Sequence, residues 1–222
     1  MKKTILFKLT PCFLFTTTCS DYLDEEHKTK YSSEYVFGTP EGLKLAVNAL
    51  YALQRYYAND TENATIFALE RGTDLAVTNG GTGNFYGIYD PNYLKPSASQ
   101  VGFMWRTMYQ IIGKANEIIA AAEDLEDTPS LRATVSEAKC FRAQSYFLLY
   151  RTFDRIWLNI QPTTAENVND PRDFHAASEK EVFDLIYEDL EYAITNLDWV
   201  SDEAGRFTQA AARHMKAKAA LW

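Results

Sequence analysis

The sequence predicts an all-α fold, an array of packed helices joined by long irregular loops. Three observations predict it. Apolar residues recur at spacings of three and four in five separate segments, the period of one helix face. Helix-start signals stand before two of these segments. One segment, about 131–153, carries two neighbouring apolar stripes, which implies packing on two sides.

The first helix opens at Thr39-Pro40-Glu41, with Thr as N-cap and Pro at the first helical position. Leu43, Val47, Leu50, Leu53 and Tyr57 then mark one face, widened by Ala46. A second helix runs from about Gly102 to Leu125 on Trp105, Met108, Ile112, Ala115, Ile119, Ala122 and Leu125, and Pro129 marks the turn after it. The third covers about Leu131 to Phe153, with Cys140, Ala143, Phe147 and Tyr150 on one stripe and Phe141, Leu148 and Leu149 on the next. Residues 158–177 read as a loop with Pro162 and Pro171. Ser178-Glu179-Lys180-Glu181 is a capping box, and Phe183, Ile186, Leu190, Ala193, Ile194 and Leu197 follow as a clean stripe. Gly205 lies in a turn, and a last helix starts near Thr208 with Ala212, Met215, Ala219 and Trp222. It meets no Gly, Asn or Pro stop signal, so the expectation is a chain cut inside a helix. The alternative is a true terminus docked on the core.

The N-terminus reads as a leader. Lys2 and Lys3 precede the apolar stretch Leu9 to Phe15, and Cys19-Ser20-Asp21-Tyr22-Leu23-Asp24-Glu25-Glu26 follows. This assigns 1–18 to a cleaved lipoprotein signal peptide and makes Cys19 the lipidated first residue of the mature chain. Thr16 and Thr18 stand where such signals usually have a Leu-like and a small residue, and a plain secretory peptide is the alternative. Residues 19–38 read as a tether and 39–222 as the helical domain. Losing the leader with Lys2, Lys3 and Lys8 takes the formal charge from −8 to −11. No Lys/Arg cluster stands out, so nucleic acid is not an expected partner. No later apolar stretch reaches the ~20 residues that span a bilayer. Once Cys12 and Cys19 are set aside only Cys140 remains, so no disulfide framework exists.

From Ala58 to Gln100 helical periodicity fades. Asn79-Gly80-Gly81-Thr82-Gly83-Asn84 is a loop by composition, and the absence of a following Gly-Lys-Ser/Thr excludes a P-loop. Phe85, Tyr86, Tyr89 and Tyr93 come directly after it. Long loops in compact domains are often functional. Aromatic rings offer flat faces to the C–H faces of sugars, and Asn supplies hydrogen bonds to hydroxyls. Asn79, Asn84, Phe85, Tyr86, Tyr89 and Tyr93 are therefore the candidate ligand-binding residues, with packing of the loop on the helices as the competing role of each aromatic.

Several segments, in order, resemble the SusD/RagB family of outer-membrane nutrient-binding lipoproteins. They are the Cys19–Glu26 start, Thr39-Pro40-Glu41-Gly42, Glu70-Arg71-Gly72-Thr73-Asp74, Trp105 to Tyr109 with Ile112 and Ala115-Asn116, Glu137 to Phe147, Val182 to Leu190, and Gly205-Arg206-Phe207-Thr208. The chain departs from the family's Phe-Gly-Asp-Val-Pro-Leu-like turn, reading Phe153-Asp154-Arg155-Ile156-Trp157-Leu158 without the Gly and the Pro. The resemblance implies tetratricopeptide-like helix pairs, here about 102–126 with 131–153 and 178–197 with 208–222, and a chain that normally continues well beyond residue 222. It also implies a surface lipoprotein that captures oligosaccharides or other nutrients and passes them to a SusC-like TonB-dependent transporter.

An enzyme is the second reading. A glycosidase needs two carboxylates across a cleft. Asp60, Glu62, Glu70 and Asp74 are acidic candidates, but no pair has a diagnostic setting. His27, His175 and His214 have no metal-ligand spacing, and no Gly-x-Ser-x-Gly elbow exists. The expectation is therefore no catalysis, no metal and no cofactor. The third reading is a helical surface protein for protein–protein interaction or adhesion.

Overall fold

The computed structural model describes residues 31–59 and 99–222, apart from 165, 172 and 173. Six helices occur among them: α1 (Ser33–Gly38), α2 (Pro40–Asn59), α3 (Ser99–Ala122), α4 (Pro129–Phe153), α5 (Glu179–Asn196) and α6 (Gln209–Ala220). They fall within one unit, Ser33–Trp222. Every regular element among the described residues is helical, and the fold is all-α with tetratricopeptide-like pairing.

The start signals act as their residue types require. Thr39 Oγ1 accepts from the Gly42 N–H at 3.0 Å and donates to the Tyr35 carbonyl at 2.8 Å, so one hydroxyl closes α1 and opens α2. Gly42 is needed here because a Cβ would lie 2.2 Å from the Tyr35 carbonyl oxygen. The sequence reading left α1 in the tether. At six residues it is too short to show a period, and it holds no buried residue. Thr128 caps α4, with Pro129 as its first residue. Both bonds of the capping box form at Ser178 and Glu181, and Thr208 caps α6.

Helix α4 is the hub. It packs against α3, α5 and α2, and more lightly against α6. Its broad apolar surface is explained by this position: Ala138, Phe141, Tyr146 and Leu149 are buried along with Ser136, Arg142 and Ser145. Val47 and Leu50 of α2, Met108 and Ile112 of α3, Ile186 and Leu190 of α5, and Ala212 of α6 complete one core. The second helix of the sequence reading ends earlier than Leu125. Tight three-residue turns at Glu123 and Leu125 close it after Ala122. Trp105, placed on its core stripe, is 37% exposed, because the buried face runs through Met104, Met108 and Ile111 instead. At the other end Leu221 caps α6, and the Trp222 ring, 63% exposed, meets Phe147 edge-on with Arg151 over its face.

The turn after α4 keeps the shape of a glycine turn without the glycine. Asp154 has φ 62° and ψ −50°, and the Arg155 N–H reaches back to the Phe153 carbonyl at 2.6 Å. An L-residue with a Cβ is strained at positive φ, and glycine is not. Asp154→Gly is expected to stabilise the protein by about 1 kcal/mol. Urea unfolding of wild type and variant measures this, and a lower midpoint for the glycine variant would show that the turn stores no strain.

Candidate functional site

The residues assigned to ligand binding from the sequence, Asn79, Asn84, Phe85, Tyr86, Tyr89 and Tyr93, lie outside the described residues. So do Cys19 and the four acidic candidates, Asp60, Glu62, Glu70 and Asp74. What the structure does describe is the surface that begins at α3, the helix following the candidate loop. An aromatic run starts there. Trp105 lies 4.8 Å from Tyr109 and 5.0 Å from Phe153, ring centre to ring centre. Tyr109 stacks on Trp157 at 6.4 Å, and Trp157 meets Phe174 at 4.8 Å. Phe174 is 71% exposed.

The connection between α4 and α5 carries the far end of this run. Its described residues form no helix or strand, yet side chains from α3 and α4 pin it. The Tyr109 hydroxyl donates to the Trp157 carbonyl at 2.8 Å and accepts from the Trp157 N–H at 3.0 Å. The Tyr146 hydroxyl does the same for Asn159, at 2.8 Å each way. Burial pushes both hydroxyls above the ordinary tyrosine value, so both stay protonated and able to donate. Asn116 Nδ2 donates to the Asn159 carbonyl at 2.7 Å. Buried polar groups of this kind supply the backbone partners that a loop without regular structure otherwise lacks.

Asn116 is itself held. Its Oδ1 accepts from Arg142 Nη1 at 2.8 Å. The Arg142 guanidinium grips Asp189 with two bonds, Nε to Oδ2 at 2.7 Å and Nη2 to Oδ1 at 2.8 Å, and Lys139 adds a third to Oδ1 at 2.9 Å. Asp189 is wholly buried and Arg142 nearly so. A chain of hydrogen bonds, charge-assisted as far as Asn116, therefore runs from α5 through α4 and α3 to the backbone at Asn159. With Arg142 fixing the oxygen of Asn116, its amide nitrogen is the atom left to face the loop.

Trp157, Asn159 and Gln161, three alternate residues, line a cleft of about 280 Å³ closed by Pro162, Asn167, Asp170 and Pro171. Ile156, between Asp154 and the cleft, points into the core. The sequence reading recorded this segment only as a loop with two prolines. The available signal lay elsewhere, in Tyr109, Asn116 and Tyr146. They are polar tips on apolar helix faces, each needing a buried partner.

Among the described residues no group of three His, Cys, Asp or Glu side chains could hold a metal ion. Likewise, none of the described helices is long and apolar enough to cross a membrane. Cys140 is buried, and burial, with Asp189 and Glu137 adding to it, pushes its thiol up, so it is a packing residue rather than a nucleophile.

Comparison with known proteins gives a consistent result. The model of the SusD-like family, described as starch-binding and associating with the outer membrane, matches residues 21–221. A SusD-like protein of Bacteroides ovatus is 27% identical over all of this chain and 39% of its own length. SusD-like protein P2 of Formosa agariphila is 29% identical over 91% of this chain and 39% of its own length. Among solved structures, a laminarin-binding SusD-like protein superposes with a TM-score of 0.68 at 26% identity, covering 82% of this chain and 40% of the other. The chain thus spans about two-fifths of the length of these relatives.

Proposed function

The chain belongs to the SusD-like family, and from that premise we propose that it is part of a cell-surface lipoprotein that binds a glycan or oligosaccharide and delivers it to a SusC-like TonB-dependent transporter in the outer membrane. The observation that carries this reading is the family match over residues 21–221, supported by the similarity to a laminarin-binding relative. Cys19 carries the lipid and residues 20–32 lead from it into the fold. The helical array acts as the scaffold, and the role is capture without catalysis.

Ligand contact is assigned to the loop that precedes α3, through Asn79, Asn84, Phe85, Tyr86, Tyr89 and Tyr93. The aromatic run from Trp105 to Phe174 supports this, because it places stacking surface beside the helix that the loop feeds. The test is binding of the full-length protein to starch, laminarin and xyloglucan by affinity electrophoresis and calorimetry. Tyr86→Ala and Tyr89→Ala are each expected to weaken binding by about 1–3 kcal/mol, the scale of a lost aromatic contact, with little change in melting temperature. Two variants that melt early and bind as wild type would mean that the loop only packs.

A further inference from the structure

The cleft at Trp157 has a use beyond the loop contact just proposed. Its floor is fixed by the two tyrosine hydroxyls and Asn116, all bonded to backbone, so the side chains of Asn159 and Gln161 are not needed to hold the segment. Neither side chain, nor the Asp170 carboxylate, bonds to another described residue. The opposite wall is braced differently. Asn167 Oδ1 accepts from the Thr164 N–H at 2.8 Å and its Nδ2 donates to the Pro162 carbonyl at 3.0 Å, so its amide is occupied with the loop's own shape. The result is an open cleft of about 280 Å³ lined by the Trp157 side chain, two carboxamides and one carboxylate.

Volume and chemistry narrow the ligand. The cleft is near the lower end of ligand pockets, about 300–1,000 Å³, and therefore suits one ring of a longer chain that continues into solvent. An aromatic wall matches a flat face of C–H groups. Carboxamides both donate and accept, and a carboxylate accepts twice, which matches vicinal hydroxyls. The Asp170 carboxylate repels a phosphate or a uronate, and no cation is among the described residues that line the cleft.

We propose that the Trp157 cleft is a saccharide subsite built from the α4–α5 connection that takes one neutral sugar ring of a glycan chain. This rests on the glycan-binding reading above. The aromatic run through Tyr109 joins the cleft to Trp105 on α3, so a chain seated at the cleft has a continuous aromatic surface beside it.

The test uses the full-length protein and the same three polysaccharides, starch, laminarin and xyloglucan. Gln161→Ala and Asp170→Ala alter exposed side chains that bond to no other described residue. Each is expected to weaken binding of the preferred polysaccharide by about three- to tenfold, the scale of one lost hydrogen bond, at unchanged melting temperature. Trp157→Phe keeps an aromatic wall and is expected to remove the ligand-induced change in tryptophan fluorescence. If wild type binds and both alanine variants bind equally well, the cleft proposal is overturned while the glycan reading stands. Failure of wild type to bind any of the three overturns both, and that outcome is read from wild type alone.

Discussion

Asp189→Ala is expected to cost about 3–5 kcal/mol of stability, the penalty for leaving buried cations without their partner. The loss has two parts. Arg142, 6% exposed at its side chain, keeps one bond to Asn116 and loses two. Lys139, 11% exposed, loses the carboxylate it pairs with among the described residues. A combined substitution separates the charge penalty from packing. Lys139→Met and Arg142→Met with Asp189→Leu removes all three charges at similar volume, and buried ion pairs and triads replaced this way are commonly neutral or stabilising. Chemical denaturation of the three proteins tests it. A single variant within about 1 kcal/mol of wild type would mean that water reaches the site and screens the charges. The combined variant has a second readout. Asn116 would lose the guanidinium that orients it, so the Asn159 backbone should loosen, visible as faster amide hydrogen exchange around residues 157–161 with global stability maintained.

This network also marks the limit of what the sequence discloses. The helices were legible because each apolar face repeats every three or four residues over several turns, and because Thr39 and Ser178 signal two of their starts locally. Helix α1 was not, since six residues cannot show a period. The buried cluster was not legible either. Asp189 falls among Asp184, Glu188 and Glu191, and nothing in its neighbours distinguishes the one carboxylate that turns inward. Its partners lie 47 and 50 residues away along the chain. The Trp157 cleft depends on the same kind of distant pairing, Tyr109 with Trp157 and Tyr146 with Asn159. The family resemblance carried the pairing of helices further than periodicity did, because unequal loops hide the repeat. It also flagged the turn at Asp154, where the missing glycine left its backbone angle behind.

Tyr51→Ala is expected to be as damaging as the loss of Asp189, at about 3–5 kcal/mol, because a large, partly buried ring and two polar bonds go together. Tyr51 of α2 sits edge-on to Phe141 of α4 at 4.7 Å and near Phe207 at 5.8 Å, with the Arg206 guanidinium 5.2 Å over its face. Its hydroxyl donates to Glu137 of α4 and accepts from the Phe207 N–H at 2.7 Å, so one side chain ties α2, α4 and the turn before α6. Tyr51→Phe keeps the ring and is expected to cost about 1–3 kcal/mol, the range for leaving buried groups unpaired. A neutral Tyr51→Phe would assign the whole effect to packing. Glu137 adds a dependence on pH. Burial raises its carboxyl above the ordinary value, against the pull of Tyr51 and Arg206 in the other direction. A raised folded-state value means that the native state holds the proton more tightly than the unfolded chain. The stability from this group is then complete below the ordinary glutamate value, and it is lost as pH rises through the folded one. Glu137→Gln stays neutral and can still accept from Tyr51. Relative to wild type it should therefore gain stability as pH rises from about 4 to 7, the span over which an ordinary glutamate ionises. Parallel unfolding curves at those pH values decide the point. A difference between the two proteins that is constant across the range would mean that the Arg206 and Tyr51 contacts balance burial, and one that moves the other way that they outweigh it and hold Glu137 ionised.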